Sequence, residues 1–471
     1  MSDNQSLTDK LLAYAASDFT PLHMPGHKRN LAAAPYLAHL GGALDITEID
    51  GFDNLHSAEG ILLRSMEEAA ALWGSKYSRY LVGGSTAGIL AGVRSVCKGG
   101  ETVLVSRNSH KSIYQAIELN DLRPTYLVPP LTENEDFYGA ISVNTVATAL
   151  QANPAAKLVI ITSPTFEGVI SDIAAIANLC HGQGIPLLVD EAHGAHLDLS
   201  PHFNGGAVAA GADIVVQSLH KTLPALTQTA IIHLNSQFIS STELNHQLTI
   251  FQSSSPSYLL MASADGAMRL IRERGEQLFS QWSTALDEFH TACADLQNLQ
   301  IITPPAAFDK SKIIISCRRT NKSGAELATY LREHHHLESE MACASYLVAM
   351  TGLVEPPQNL RRLAAALHQA DSQCHPATPR PLTLPPLPDL VLSIKEALCA
   401  PTCDLSIDEA AGQICADYLW AYPPGIPLVA PGERISAECL KTFAQMSRAG
   451  VRLYSSLSAQ RQKLRVISPR P

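Results

Sequence analysis

The chain has 471 residues, 46% of them hydrophobic and 17% charged, with a formal net charge of −10. A single core usually stops growing near about 250–300 residues, so more than one domain is expected. The negative balance excludes the basic footprint of a nucleic-acid binder, and no apolar run approaches the roughly 18 residues of a membrane span.

In chain order, Ser6 and Asp9 have capping-box-like spacing ahead of Leu11, Leu12 and Tyr14, which predicts a short helix. The stretch Leu22-His23-Met24-Pro25-Gly26-His27-Lys28 is too rich in proline and glycine for a helix or a central strand. Its histidines lack a third ligand at a defined spacing, so no metal site is expected there. Four acids, Asp45, Glu48, Asp50 and Asp53, then gather around Gly51, as either a solvated turn or an acidic lip over a pocket. From residue 57 the pattern is helical: Ile61, Leu62, Met66, Ala69 and Trp73 share a face, and Gly74 is a natural stop. After Tyr80-Leu81-Val82, the run Gly83-Gly84-Ser85-Thr86-Ala87-Gly88 opens a helix that continues through Val96. Small residues there let backbone N–H groups close around an anion at the helix N-terminus. Alone that signal is weak, because glycine-rich turns are common.

Strands are predicted at 102–106, 125–128, 158–162, 185–189, 214–216 and 230–234, with helices near 109–119, 143–151 and 171–183. The alternation predicts an α/β fold, with a mainly parallel sheet covered by helices. A long helix begins near Leu259 and runs past Arg274. Residues 300–370 read as a smaller α/β unit, with strands at 312–316 and 346–351, helices at 324–333 and 359–369, and His334-His335-His336 as an exposed helix end. The expected division is an N-terminal arm (1–40), a large domain (41–265), a small α/β domain (266–371), a proline-rich linker (372–388) and a C-terminal domain (389–471). Ten cysteines are scattered without a Cys-x-x-Cys pair, and no basic segment followed by an apolar core opens the chain. Buried free thiols in a reducing cytoplasm are expected.

Two strand ends carry the chemistry. The apolar run Ile214–Val216 gives way to Ser218, His220 and Lys221, and the run 185–189 ends in Asp190-Glu191-Ala192-His193. In an α/β sheet, ligands bind at the carboxyl ends of strands. A lysine and a carboxylate placed this way suit pyridoxal phosphate: the lysine forms the Schiff base, and the aspartate keeps the pyridine nitrogen protonated. Either piece alone is more simply a solvated surface group. Together with the Gly-Ser-Thr turn they favour a cofactor site. His110, in Arg107-Asn108-Ser109-His110-Lys111-Ser112, follows a strand end at that same edge, where a lone histidine is most often a helix cap.

The chain resembles the bacterial ornithine/lysine/arginine decarboxylases of the aspartate-aminotransferase-like fold (fold type I), in the short form without an N-terminal wing domain. The motifs carrying this are Leu22 to Lys28, Gly83 to Gly88, Thr162-Ser163-Pro164-Thr165-Phe166-Glu167-Gly168, Asp190 to His196, Ser218 to Thr229, and Tyr422-Pro423-Pro424-Gly425-Ile426-Pro427. The resemblance implies Lys221 as the Schiff-base lysine, Asp190 on the pyridine nitrogen and His110 stacked on the ring. It places Ser85, Thr86, Ala87, Ser218 and His220 around the phosphate, and His193 near the phenolic oxygen. It implies a dimer or larger homo-oligomer with shared sites, and a basic amino acid as substrate, arginine and lysine ahead of ornithine, converted to an amine of the polyamine pathway and CO2. Another reaction on the same fold, transamination or acyl-CoA condensation, is the first alternative, and a non-catalytic regulator the second. The substrate's distal cation needs a carboxylate, for which Glu48, Asp50 and Asp53 are the first candidates and Glu433 the next.

Overall fold

The computed structural model describes residues 5–17, 25, 28, 31–32, 35–132, 136–303, 307–379, 387–422, 426–448, 452–455 and 463–468. Most of the Leu22–Lys28 stretch, residues 380–386 of the proline-rich segment and residues 423–425 of the Tyr422–Pro427 stretch lie outside them.

Helix α1 (Leu7–Ala15) starts where its cap predicts, with the Ser6 side chain accepting from the Asp9 amide. Then follow α2 (Ile61–Trp73), β1 (Tyr77–Leu81), α3 (Gly84–Val96), β2 (Thr102–Ser106), α4 (Lys111–Leu119), β3 (Arg123–Leu127), α5 (Val143–Ala152) and β4 (Leu158–Thr162). After these come α6 (Ile173–His181), β5 (Leu187–Asp190), β6 (Ile214–Ser218), the single turn α7 (Leu219–Thr222), β7 (Ala230–Leu234), α8 (Ser241–Phe251) and α9 (Tyr258–Ala292). The sheet is mainly parallel, as the alternation predicts. The sequence boundary between residues 265 and 266 falls inside α9, which is one continuous helix.

The described chain forms two compact units. The first comprises residues 1–96, 173–282 and 352–354. Its strands run in the order β1-β7-β6-β5, with β5 and β6 parallel and β7 antiparallel to both of its neighbours. The predicted face of α2 (Ile61, Leu62, Met66, Ala69, Trp73) is buried, and Gly74 closes the helix at φ 70°. Helix α3 is laid on the sheet through its glycines. A Cβ on Gly88 would stand 2.5 Å from Leu81 Cδ1 and 2.9 Å from Val216 Cγ1, and one on Gly92 would stand 3.1 Å from Leu188 and 3.3 Å from Ile214. So α3 runs against β6, Gly92 over Ile214 and Gly88 over Val216. One helical turn spans about 6 Å, as do two strand residues, which brings Gly84 level with Ser218.

The second unit comprises residues 97–172, 283–351 and 355–471. Strands β2, β3 and β4 are parallel, in the order β4-β2-β3. An antiparallel sheet, β10-β11-β9-β8, is built from β8 (Gln300–Ile302), β9 (Lys312–Ser316), β10 (Met341–Ala342) and β11 (Tyr346–Met350). With it go α10 (Gly324–His335), closed by left-handed His336, and α11 (Pro357–Ser372). The C-terminal part adds α12 (Ile394–Cys399), β12 (Thr402–Ser406), β13 (Leu419–Tyr422), β14 (Ile426–Val429), α13 (Ala437–Arg448), β15 (Arg452–Ser455) and β16 (Lys463–Ile467). Its core is formed by Cys415, Val429, Ile435, Cys439, Phe443 and Val466. Among the described residues no helix is long and apolar enough to cross a membrane.

Candidate active site

Strands β5 and β6 are parallel with Asp190 opposite Val216, so both release their chains at the same edge. Asp190 is 4% exposed, and its carboxylate accepts from the Ala192 amide at 3.2 Å. Burial pushes its carboxyl above the ordinary carboxylate range, and the nearby Lys221 charge works the other way. Lys221 is half-buried on α7, and its Nζ lies 2.8 Å from His193 Nε2. His193 belongs to the turn that follows Asp190, so the sequence's two strand ends meet in this pair.

Ser218 ends β6 with its Oγ buried and without a hydrogen-bond partner among the described residues. A buried hydroxyl left in that state costs about 1–3 kcal/mol, which is recovered when a ligand accepts from it. His220 donates from Nδ1 to the Thr229 carbonyl at 2.9 Å, and burial lowers its pKa. The Gly84 amide donates to Gln228 O (3.0 Å) and the Leu219 amide to Thr229 O (3.1 Å), drawing the first turn of α3 beside the end of β6. Ser85 and Thr86 are half-buried on that turn, and Ala87 is buried behind it. Hydroxyls, helix-end amides and an imidazole around the orphan Ser218 Oγ fit a phosphate. Lys221 and Asp190 fit an aldehyde and a pyridine nitrogen.

His110 belongs to the second unit, where it caps α4: Nδ1 accepts from the Ser112 amide at 3.3 Å and lies 2.9 Å from Ser112 Oγ. The cap and any service to a cofactor ring separate by substitution. His110→Asn keeps a capping side chain, whereas His110→Ala loses about 1 kcal/mol of helix stability. If the ring serves the cofactor, both variants weaken cofactor retention equally, and only alanine lowers the melting temperature of the cofactor-free protein. Retention that follows the cap alone removes His110 from the site.

The four acids proposed for the substrate have unequal surroundings. Glu48 is half-buried, and its Oε1 is buried without a hydrogen-bond partner among the described residues. Asp50 is exposed. Asp53 instead closes the start of α2: its oxygens accept from the amides of Asn54 (2.9 Å), Glu59 (3.0 Å), Gly60 (2.8 Å) and Leu62 (3.0 Å). Glu433 is fully buried against Arg107, with oxygens 2.5 and 2.9 Å from the guanidinium nitrogens. Asp53 and Glu433 thus have structural partners that account for their charge, and neither is carried forward as a substrate ligand. Sequence reasoning had no means of finding the Arg107–Glu433 pair, whose members lie 326 residues apart.

The Orn/Lys/Arg decarboxylase major-domain profile matches residues 5–318, and the C-terminal-domain profile of the same family matches residues 394–454. An uncharacterized protein of Bacillus subtilis, YaaO, is 34% identical over 98% of both chains. The arginine decarboxylase of Bacillus anthracis is 29% identical over 94% of this chain and 93% of its own. The crystal structure of the Francisella novicida lysine decarboxylase LdcF superposes with a TM-score of 0.83 at 18% identity, covering 99% of this chain and 82% of that one. Pyridoxal phosphate is the cofactor, and the strand-end residues fit it. Matched along both its major and its C-terminal domain, and aligned nearly end to end with a relative more than 30% identical, the chain belongs to the Orn/Lys/Arg decarboxylase family.

Proposed function

We propose that this chain decarboxylates arginine or lysine in preference to ornithine, with Lys221, Asp190 and His193 as its catalytic residues. The observation that carries the reading is the contact between Lys221 Nζ and His193 Nε2 beside the buried Asp190. When bound, the cofactor supplies an electron-accepting ring for the electron pair left by the departing carboxylate. Asp190 holds a proton on the ring nitrogen. Ser85, Thr86, Ser218 and His220 would anchor the phosphate. Lys221 would supply the amine that holds the cofactor's aldehyde. Lys221 and His193, one hydrogen bond apart, hold the proton that returns to Cα.

Arginine stands first among the substrates. Relatives named arginine decarboxylase align over 94% and 97% of this chain, whereas the constitutive lysine decarboxylase of Escherichia coli aligns over 54%. Glu48 and Asp50 are proposed to meet the distal cation, because an ammonium or guanidinium taken out of water needs a partner. A neighbouring subunit is proposed to complete each site.

The test is CO2 release from arginine, lysine and ornithine by the purified, cofactor-loaded protein. Release from arginine or lysine faster than from ornithine supports the reading. A transaminated product from all three, with no CO2, overturns it. Asp190→Asn is expected to slow decarboxylation by about 10²-fold or more with the cofactor still bound, because a neutral amide stabilises the ring proton poorly. Asp190→Asn activity near that of the wild type would take Asp190 off the ring nitrogen. The Glu48→Gln/Asp50→Asn double variant is expected to raise KM for the basic substrate while the bound-cofactor absorbance stays unchanged. An unchanged KM removes this loop from the substrate site.

A further inference from the structure

Behind the proposed cofactor site, a row of buried polar side chains crosses the sheet of the first unit. Glu191 Oε2 accepts from Gln217 Nε2 at 2.7 Å, Gln217 Oε1 lies 3.1 Å from His233 Nε2, and His233 Nδ1 lies 2.7 Å from Ser78 Oγ. These residues come from the end of β5 and from β6, β7 and β1, four neighbours in the sheet. All four are at most 1% exposed. The other oxygen of Glu191 accepts from the Ala207 amide at 2.7 Å.

The direction of every bond follows from the chemistry of the groups. A carboxylate accepts, so the Gln217 amide turns its nitrogen to Glu191 and its oxygen to His233. His233 Nε2 therefore carries the proton, and bare Nδ1 accepts from the Ser78 hydroxyl. Burial agrees with this tautomer by lowering the imidazole pKa to about 3, which keeps the ring neutral. Burial also works to raise the Glu191 carboxyl, but N–H donors on both of its oxygens, Gln217 Nε2 and the Ala207 amide, favour the carboxylate that accepts at this end of the row. The Trp73 ring lies 5.1 Å from that of His233.

Strand alternation puts this row on the face opposite α3. Asp190, Val216 and Ser218 share the α3 face, while Glu191, Gln217 and His233 share the other, in the register Val215↔His233 and Ser78↔His233. Four buried polar groups amid valine and isoleucine are costly unless fully paired, and paired they lock the strands they join. The strands locked here are those that carry Asp190 and Ser218-Leu219-His220-Lys221.

We propose that Glu191, Gln217 and His233 are positioning residues that fix the end of β5 against the end of β6, and so hold Asp190 at its distance from Lys221 and the phosphate anchors. This rests on the cofactor reading above. The test uses the full-length protein freed of cofactor, with pyridoxal phosphate titrated back by absorbance and the pH midpoint of the bound-cofactor spectrum recorded. Gln217→Glu sets two carboxylates against each other. It is expected to weaken pyridoxal phosphate binding by about tenfold or more and to move the pH midpoint. Adding Glu191→Gln moves the carboxylate one strand along: Gln at 191 donates to Glu at 217, which also accepts from His233. This swap is expected to recover both readouts. Glu191→Gln alone keeps the row with its bonds reversed, as Gln217 turns over and His233 takes the other tautomer, and is expected to bind cofactor as the wild type does.

A Gln217→Glu variant that binds as the wild type overturns the proposal, and so does a folded swap variant that fails to recover. If Gln217→Glu does not fold, the other two variants decide: wild-type binding by both supports the row, and weakened binding by a folded Glu191→Gln overturns it. Wild-type protein that takes up no pyridoxal phosphate defeats the cofactor reading itself, a result distinct from all of these.

Discussion

Lys221→Ala is expected to abolish decarboxylation and to leave no cofactor that borohydride can fix to the chain. The loss should exceed about 10⁴-fold, because covalent attachment and the proton held with His193 disappear together. Stability should scarcely change. Lys221 is half-buried on a four-residue turn, and alanine suits a helix. The cofactor-free variant should therefore melt within a degree or two of wild type, which separates lost chemistry from lost folding. Lys312, fully buried in the second unit, is already held by Asp309 at 2.9 Å and Ser311 at 3.1 Å. Normal turnover in the variant, with borohydride fixing cofactor to a different lysine, would sink the assignment.

How far the sequence foretold this site depends on the range of each signal. The strand ends were legible because polarity switches within three residues, from Ile214–Val216 to Ser218, His220 and Lys221, and local chain geometry carries that switch into space. The α2 face and its Gly74 stop were legible for the same reason, as period and cap are both short-range. The capping role of Asp53 was hidden because its partners are backbone amides as far as Leu63, and an acidic loop looks the same whether it caps a helix or faces a substrate. The reversed direction of β7 left no trace in an apolar run that would suit either orientation. The row from Glu191 to Ser78 was invisible too, because four residues spread between positions 78 and 233 meet only through strand pairing. Glu433 shows the same limit most sharply. Its PGE context reads as a turn, and the residue that takes up its charge follows β2, in the first quarter of the chain.

Glu433→Ala is accordingly expected to damage stability rather than substrate affinity. Glu433 is fully buried, with both oxygens on the Arg107 guanidinium and Oε2 also accepting from the Ala430 amide at 2.9 Å. Arg107 is itself 5% exposed, donates to Leu428 O at 3.2 Å, and lies 4.6 Å from the centre of the Tyr126 ring. Tyr114 fixes its backbone by donating to Arg107 O at 2.8 Å. Removing the carboxylate leaves without its partner a buried cation that cannot lose its proton, a change that costs about 3–5 kcal/mol. Glu433→Gln keeps the shape and one acceptor, and should cost less. Arg107→Ala/Glu433→Ala should destabilise by less than the sum of the single changes, because the second loss removes the stranded charge. Trp420, stacked on Tyr418 at 4.8 Å and edge-on to Tyr114 at 6.2 Å, makes its fluorescence a local reporter of denaturant unfolding in this cluster. The expected record is a lower unfolding midpoint for Glu433→Ala with an unchanged KM in the protein that remains folded. An unchanged midpoint with a raised KM would return Glu433 to the substrate's distal cation, and the buried pair with Arg107 would then have to open when substrate binds.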